Sequence, residues 1–350
     1  MQTAELRRGV PRLLDSLSGP EGFYRYSLSG DLAGPEAGWG LGNTVFAVKT
    51  MAALGTLGSL SWERRGELGR FIASFRTADG RVFDRWVHRR SSLRNKLNCL
   101  RHRDFANFFN SQVRRAETRQ AVQALRLLGL PSPAPLREGA GDDVEQQLAR
   151  LDWRRPWSAG SHASHLLFFL ALRRDAGEPA AEARGRRVLA WLSDFQRPDG
   201  GWYRGAPSAA ERAFGAMKVL TGLRAWGPVP VPRPERLVDL ALAARGGDDA
   251  CSWLNATYLL RHAAAEAPAH RASEAHAFAE DALARLAPHY HEGAGGFSFY
   301  PGRANTHYYG ARVSRGLPEP DIHGTMLLTW GLSLLEPLLG RSWGLTEVDP

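Results

Sequence analysis

The sequence has little of what marks several classes of protein. Its 350 residues include only two cysteines, Cys99 and Cys251, which are too few for a disulfide framework and lack the spacing of a zinc site. The N-terminus has no apolar signal region, and the longest apolar run, around Leu166 to Leu172, is far too short to span a bilayer. We therefore expect a cytoplasmic protein, and no motif predicts a bound metal or other cofactor.

Acidic residues are outnumbered by basic ones. Lys and Arg total 45 against 36 Asp and Glu, so the formal net charge is +9. Such a balance attracts anionic partners such as diphosphates, acidic sugars or membrane surfaces, although a GC-rich genome that writes ordinary surface charge as Arg is an equal alternative. Nucleic acid is not expected as a partner, because no helix-turn-helix, zinc finger or RNA-binding signature accompanies the charge.

The basic residues concentrate between residues 81 and 115, where only Asp84 and Asp104 offset them and aromatic residues are interleaved. We interpret this stretch as an Arg-rich insertion with short helices of its own. Its charge makes peripheral contact with a membrane a further expectation.

Helical periodicity dominates the chain, with apolar residues at i, i+3, i+4 and i+7, and no convincing run of alternating strand residues is present. The class is therefore all-α. Helices that open with Gly, Ser, Trp or polar residues alternate with more conventionally amphipathic ones, and the first kind begins near Trp39, Ala116, Ser161, Arg212, Trp253 and Asp321. Six of each kind predict a single-domain (α/α)6 toroid over residues 1–350, with an irregular helical solenoid as the alternative.

Residues 188–205, VLAWLSDFQRPDGGWYRG, form an apolar helix that stops at Pro198 and turns through two glycines. This stretch resembles the QW motif of the terpenoid cyclase and protein prenyltransferase superfamily of α/α toroids. The resemblance implies that Gln196 caps a helix end and that Trp202 stacks on it. Weaker versions of the same turn fall at residues 76–83 and 293–300.

The resemblance carries a fold rather than a chemistry. Class II terpene cyclases protonate an alkene with a DxDD motif, and class I cyclases hold magnesium and diphosphate on DDxxD, but neither motif occurs in this chain. The zinc-binding Asp, Cys and His of protein prenyltransferases have no counterpart around Cys251. We therefore place the motif on the outside of the ring and look for chemistry at the starts of the inner helices.

Asp321 and His323 are the first catalytic candidates, because they open the last helix directly after Pro318-Glu319-Pro320. A capped carboxylate with an imidazole beside it is suited to general acid/base work near neutral pH. The alternative is that Asp321 only caps the helix and that His323 hydrogen-bonds a loop carbonyl.

His162 and His165 are the second pair, because their spacing places both on one helix face, where they can line a polar pocket, pack or cap; no third metal ligand lies near in sequence. Further candidates for substrate binding share a position at an inner-helix start or in the Gly/aromatic loop: Trp39, Asn43, Glu117, Arg119, Phe168, Lys218, Trp253, Asn255, Tyr258, His307, Tyr308 and Tyr309.

The leading functional hypothesis is a cyclase-like lyase or isomerase that acts on an isoprenoid or similar apolar-anionic substrate, with Asp321 as proton donor and His323 as its modulator. The competing hypothesis is a glycan-active (α/α)6 enzyme, such as a polysaccharide lyase, uronyl epimerase or glycoside hydrolase, whose funnel is lined by His, Tyr, Arg and Trp. A third is a non-catalytic helical scaffold that binds a ligand or peptide.

Overall fold

The computed structural model describes residues 3–102, 108, 111–131, 143–244 and 247–348. Within these ranges the chain is mostly helical, which confirms the predicted all-α class. No described helix is long and apolar enough to cross a membrane. Residues 103–107 and 109–110 of the predicted basic insertion, Asp104 among them, lie outside the described residues.

The helices and strands follow one another along the chain. The α-helices are α1 (Thr3–Leu17), α2 (Leu41–Ala53), α3 (Trp62–Ser74), α4 (Arg85–His102), α5 (Ser111–Leu127), α6 (Val144–Ala149), α7 (Pro156–Asp175), α8 (Pro179–Phe195), α9 (Ala209–Trp226), α10 (Pro234–Ala243), α11 (Ala250–Glu266), α12 (Ala272–Ala284) and α13 (Ile322–Leu339). Short 3-10 helices cover Pro20–Gly22, Pro35–Ala37, Leu57–Ser59 and Ala287–His289. Two antiparallel hairpins pair β1 (Tyr290–His291) with β2 (Gly296–Phe297) and β3 (His307–Tyr308) with β4 (Ala311–Arg312).

The chain forms two compact units. Unit 1 comprises Met1–Pro133, Asp248–Cys251 and Ala282–Val348, and in it α2 packs against α13, α5 and α3. Unit 2 comprises Ala134–Gly247, Ser252–Asp281 and Asp349–Pro350, and in it α7 packs against α9 and α8 while α10 packs against α9. The prediction of a single domain stays a prediction.

Two kinds of helix are present, as the sequence pattern predicts. In α2 every residue except Ala52 is buried, and α13 is buried along most of its length. By contrast, α3 buries only Leu68, Gly69 and Ile72, which is the single apolar stripe of a surface helix. In unit 2, α7 and α9 are of the buried kind, while α8 and α10 bury four residues each.

Three local expectations need correction. The basic segment does not consist of short helices, because α4 alone runs for 18 residues and α5 begins at Ser111, inside the segment. The serines of the stretch WSAGSHAS predict a serine cap for α7, but that helix starts with Pro156 at its first position and no side chain caps it. The hairpins β1–β2 and β3–β4 fall in the loop before α13, where strands of two residues are too short to produce a periodic signal.

The turn of residues 188–205 recurs in the structure. In each copy the N–H of the first residue donates to the carbonyl of the fifth, and the fourth residue is a glycine with a positive φ. The three copies are Arg197 to Gly201 (2.8 Å, φ of Gly200 88°), Thr77 to Arg81 (2.7 Å, φ of Gly80 86°) and Gly19 to Phe23 (2.8 Å, φ of Gly22 85°). The weaker copy predicted at 76–83 therefore has the same geometry. The copy at Gly19 was not predicted, because its PEGFY sequence lacks the Asp-Gly pair that the other two turns share.

The motif residues tie this turn to neighbouring elements in a way that differs in detail from the resemblance. The buried Trp202 indole donates to the carbonyl of Leu192 near the end of α8 (2.7 Å). The Gln196 amide donates to the carbonyls of Gly200 (2.8 Å) and Pro232 (3.1 Å). The tryptophan thus bonds the helix end, and the glutamine joins the turn to the segment before α10. At Gly295 the third predicted copy is the β1–β2 turn instead.

Candidate active site

The centre of the candidate site in unit 1 is Glu117 on α5 with His88 on α4. The Nε2 atom of His88 lies 3.0 Å from Oε2 of Glu117, and both side chains are buried. Burial raises the pKa of Glu117 well above its ordinary value, and burial, aided by the Arg114 charge, lowers the pKa of His88 to about 4. Both shifts favour the neutral forms, so the pair shares one transferable proton near neutral pH.

The second oxygen of Glu117 is what distinguishes this pair. Oε1 is buried and has no hydrogen-bond partner among the described residues. A buried carboxyl oxygen without a partner is uncommon, since the great majority of buried polar atoms in native structures are paired. Glu117 therefore has an unused position for a hydrogen bond to a ligand or to water.

Asp84 fixes the position of both members of the pair. Its Oδ1 accepts the N–H of Val87 (3.0 Å) at the start of α4, and its Oδ2 accepts the N–H of Gly40 (3.0 Å). Its own N–H donates to Oε2 of Glu117 (3.3 Å). Burial, followed by the nearby Glu117 carboxyl, raises the pKa of Asp84 to about 7, as expected for two acids that cannot easily ionise together.

An open cavity lies beside α4, and neither Glu117 nor His88 belongs to its lining. It has a volume of about 340 Å³ and is lined by Leu32, Trp86, Arg90, His307, Gly310, Ala311 and Arg312. Two guanidinium groups, an imidazole and an indole therefore surround it, and no carboxylate belongs to the lining. Trp86 connects the cavity to the interior, because its ring lies 5.5 Å from that of Trp39, which in turn lies 6.1 Å from that of Tyr308.

The β3–β4 hairpin forms one wall of the cavity through a strained turn. Its two loop residues, Tyr309 and Gly310, both have positive φ, 46° and 87°, as a type I′ turn requires. A bulky residue at the first position is unusual and stores strain. Burial, followed by the electrostatic interaction with Glu117, raises the pKa of Tyr309, so its phenol stays protonated. Tyr309 and His88 therefore both interact with the carboxyl group of Glu117.

Asp321 acts as the N-cap of α13. Its Oδ1 accepts the N–H of Gly324 (2.7 Å), and its Oδ2 accepts the N–H groups of Phe299 (2.8 Å) and Asn305 (3.0 Å). The residue is fully buried, and that burial raises its pKa to about 7. Its carboxylate holds the loop before α13 to the helix start, which matches the capping alternative for this residue.

His323 is held by aromatic rings. Its imidazole stacks on Phe46 with ring centroids 4.6 Å apart and an interplanar angle of 3°, and Phe299 lies 5.0 Å away. Its Nδ1 is 3.4 Å from the hydroxyl of Tyr26. Burial lowers the pKa of His323 to about 3, so the ring is neutral, and its side-chain contacts go to these groups rather than to the carboxylate of Asp321.

Other predicted residues of unit 1 lie around Asp31. The indole of Trp39 donates to Oδ2 of Asp31 (2.6 Å), and the Asn43 amide donates to the same oxygen (3.0 Å). Tyr308 is buried between Trp39 and Phe46. His307 lines the cavity, and Arg119 is buried one helical turn or less from Glu117 on α5.

The remaining predicted residues belong to unit 2 and lie on its helices α7, α9 and α11. His162, His165 and Phe168 are buried on α7, and Trp253, Asn255 and Tyr258 are buried on α11. Lys218 on α9 places its ammonium 5.2 Å from the ring centre of Trp157. Asp321 and His323 belong to unit 1, so the grouping of the two sets in one site stays a prediction. Across the described ranges no cluster of three or more His, Cys, Asp or Glu is arranged to hold a metal.

Sequence reasoning missed Asp84, Trp86, His88, Arg90 and Arg312. The first four lie in the segment interpreted as an insertion, and Arg312 lies in the loop before α13. One signal was available: Asp84 is followed by His88 four residues later, so the pair shares the first turn of any helix that begins there. The contact with Glu117 is made across 29 residues of sequence and leaves no local pattern.

Comparisons with protein-family models, with curated proteins and with solved structures gave no match.

Proposed function

We propose that this protein is an acid/base enzyme that acts on an anionic carbohydrate, in the manner of a uronyl lyase or epimerase. The observation that carries the proposal is the buried pair of Glu117 and His88 with its unpartnered Oε1. His88 lies on α4, the helix that also supplies Trp86 and Arg90 to a cavity lined by two arginines. Buried acids and bases with strongly shifted pKa values are common at active sites.

The cavity residues suit the binding of a carboxylated sugar. Arg90 and Arg312 bind the carboxylate, and Arg does this bidentately. Trp86, whose indole lines the cavity, stacks on the sugar face. Neutralising the carboxylate charge makes the adjacent C–H more acidic, because the carbanion formed on proton loss is delocalised into that group.

Glu117, His88 and Tyr309 then carry out the proton transfer. Oε1 of Glu117 accepts the substrate proton while the proton on Oε2 passes to Nε2 of His88, and the protonated Tyr309 phenol donates a proton to the substrate. Return of a proton to the opposite face of the carbon gives epimerisation, while loss of a neighbouring leaving group gives elimination. General acid/base catalysis of this kind contributes roughly 10²- to 10⁴-fold to the rate.

The isoprenoid hypothesis is the weaker one on these contacts. It rested on Asp321 as proton donor and on an aromatic cavity wall. The oxygens of Asp321 are engaged with three backbone N–H groups, and the aromatic rings around His323 pack on one another. The open cavity, by contrast, is cationic.

The (α/α)6 toroid remains our proposal for the architecture. Two observations support it. Almost fully buried helices alternate with one-faced helices in both units, and the turn with a positive-φ glycine occurs three times. The relation to the terpenoid cyclase and prenyltransferase superfamily rests on Gln196 and Trp202 and is likewise a proposal.

A thermal-shift screen tests the substrate class. Uronic-acid oligosaccharides are expected to raise the melting temperature by mass action, and a ligand at 100 times its Kd adds about 2.7 kcal/mol to the free energy of unfolding. Isoprenyl diphosphates are expected to shift it less. The variant Arg312→Gln is expected to weaken oligosaccharide binding roughly tenfold or more because it removes one charged partner of the carboxylate.

Arg315→Gln is the matched control, since Arg315 is an exposed arginine of the same loop outside the cavity lining. Glu117→Gln should bind the oligosaccharide as the wild type does in the thermal-shift assay, and it should turn the oligosaccharide over about 10²-fold or more slowly. A shift produced by isoprenyl diphosphates alone, or equal effects of the two arginine variants, would count against the proposal.

A further inference from the structure

The outer face of α4 carries an exposed apolar stripe. Leu93, Leu97 and Leu100 are 72%, 58% and 52% exposed, and their spacing of four and three residues places them on one helix face. The other large apolar side chains exposed in the described ranges, such as Trp62 and Leu317, occur singly, which is ordinary for a protein surface. A continuous stripe of leucines in water instead marks an interaction surface.

Cations border the stripe on both sides. Arg89 and Lys96, seven residues apart, lie along one edge, and Arg101 lies along the other. The sequence of α4 contains no Asp or Glu. Three cations of α4 have uncharged partners: Arg89 donates to the carbonyl of Ala37 (3.2 Å), Arg90 lies 5.6 Å from the ring centre of Trp86, and the Lys96 ammonium lies 5.9 Å from the ring centre of Phe108.

The opposite face of α4 holds the helix to unit 1. Val87, His88, Ser91 and Cys99 are buried there, and the hydroxyl of Ser91 donates to the carbonyl of Val87 (2.8 Å). The helix also packs against β4. The leucine stripe is therefore presented outward on a fixed helix.

We propose that this outer face of α4 docks on an anionic membrane surface, with the three leucines at the level of the acyl boundary and the flanking cations against the lipid head groups. Charge complementarity and the bracketing of an apolar stripe by long basic side chains are the features of helices that lie in a membrane interface. The formal net charge of +9 adds a longer-range attraction to such a surface. A nucleic acid would use the cations but leave the leucines in water.

Vesicle cosedimentation of the full chain tests this inference. We expect binding to vesicles of phosphatidylcholine with phosphatidylserine, little binding to phosphatidylcholine alone, and weakening as salt is raised. The double variant Leu93→Ser/Leu97→Ser is expected to bind roughly tenfold or more weakly because it loses buried apolar area. The double variant Lys96→Gln/Arg101→Gln removes one cation from each edge, and its affinity for the anionic vesicles is expected to fall roughly fivefold for each charge removed.

Leu317→Ser is the matched control, because Leu317 is an exposed leucine, 43% accessible, outside α4. Circular dichroism and thermal melting check that each variant folds like the wild type, and the charge variant provides an independent test should the serine variant not fold. No binding to the anionic vesicles, or binding that both α4 variants leave unchanged, overturns the proposal. Self-association in the absence of vesicles that Leu93→Ser/Leu97→Ser abolishes would assign the stripe to a second copy of the chain and also overturn it.

Discussion

Unit 1 contains two pairs of a buried acid and a histidine, and they differ in where the carboxyl oxygens are used. In the pair of Asp321 and His323, both oxygens accept backbone N–H groups and the imidazole is stacked between rings. In the pair of Glu117 and His88, one oxygen contacts the imidazole and the other has no partner in the described structure. Burial of the acid is common to both.

This difference distinguishes an acid that stabilises the fold from an acid that is available for proton transfer. A carboxylate that accepts three backbone hydrogen bonds holds a loop in place, and changing its protonation would weaken those bonds. A carboxyl with a free oxygen and an imidazole partner can exchange a proton at little structural cost. Proximity in sequence points to the first pair, and geometry points to the second.

The largest expected effect is on stability and concerns Asp321. Asp321→Ala leaves the N–H groups of Gly324, Phe299 and Asn305 without their acceptor. Since an unsatisfied buried polar group costs about 1–3 kcal/mol and three N–H groups lose their acceptor, the free energy of unfolding should fall by at least about 3 kcal/mol. Denaturant titration at pH 5 measures this loss.

Asp321→Asn keeps one acceptor oxygen and is expected to fall between the wild type and the alanine variant. Glu117→Gln at the same pH serves as the comparison and should change stability by no more than about 1 kcal/mol, because Gln resembles the protonated acid that burial favours. Equal losses in Glu117→Gln and Asp321→Ala would remove the distinction between the two pairs.

Much of the fold was predictable because helices leave local patterns. The start of α13 at Asp321 and the cap of α3 by Ser61, whose hydroxyl accepts the N–H of Arg64 (3.1 Å), follow from residue type and neighbouring sequence. The turn at Thr77 has the geometry of the better-defined turn at Arg197, as its glycine suggested. The length of α4 was underestimated because its arginines obscure the apolar periodicity.

The site was less predictable because it depends on contacts between distant segments. Glu117 was identified from its place at a buried helix start, but its partner His88 comes from a segment whose charge suggested a surface insertion. The loop residues His307, Tyr308 and Tyr309 were recognised from their composition. The place of His307 at the cavity depends on the two-residue turn through Tyr309 and Gly310, where a tyrosine occupies a backbone conformation that sequence rules do not assign to it.

A second prediction uses pH to separate the pairs. Asp84 has its pKa raised to about 7 by burial and by Glu117, and Glu117 has its pKa raised further by burial. A raised pKa in the folded state contributes stability that is present at low pH and is lost as the pH rises through that value. The contribution of Asp84 and Glu117 to the free energy of unfolding of the wild type should therefore decline between pH 5 and pH 8.

Glu117→Gln removes one of these acids. It also removes the Glu117 carboxyl that, after burial, raises the pKa of Asp84. Relative to the wild type, the variant should gain about 1–2 kcal/mol on going from pH 5 to pH 8, since one pKa unit corresponds to about 1.4 kcal/mol. Asp321, with a pKa of about 7, is present in both proteins and cancels in the difference. Urea unfolding at the two pH values provides the measurement, and a difference independent of pH would argue against a coupled pair of acids.

The smallest expected effect comes from His323→Phe. Phenylalanine preserves the stack on Phe46 at 4.6 Å and the contact with Phe299, and it loses only the long contact of 3.4 Å with the Tyr26 hydroxyl. The free energy of unfolding should change by less than about 1.5 kcal/mol, as for other substitutions that nearly conserve volume. In the oligosaccharide assay, turnover should stay close to the wild-type rate, whereas His88→Gln should lower it by about 10²-fold. A loss of turnover in His323→Phe without a loss of stability would return the catalytic role to the pair at the start of α13.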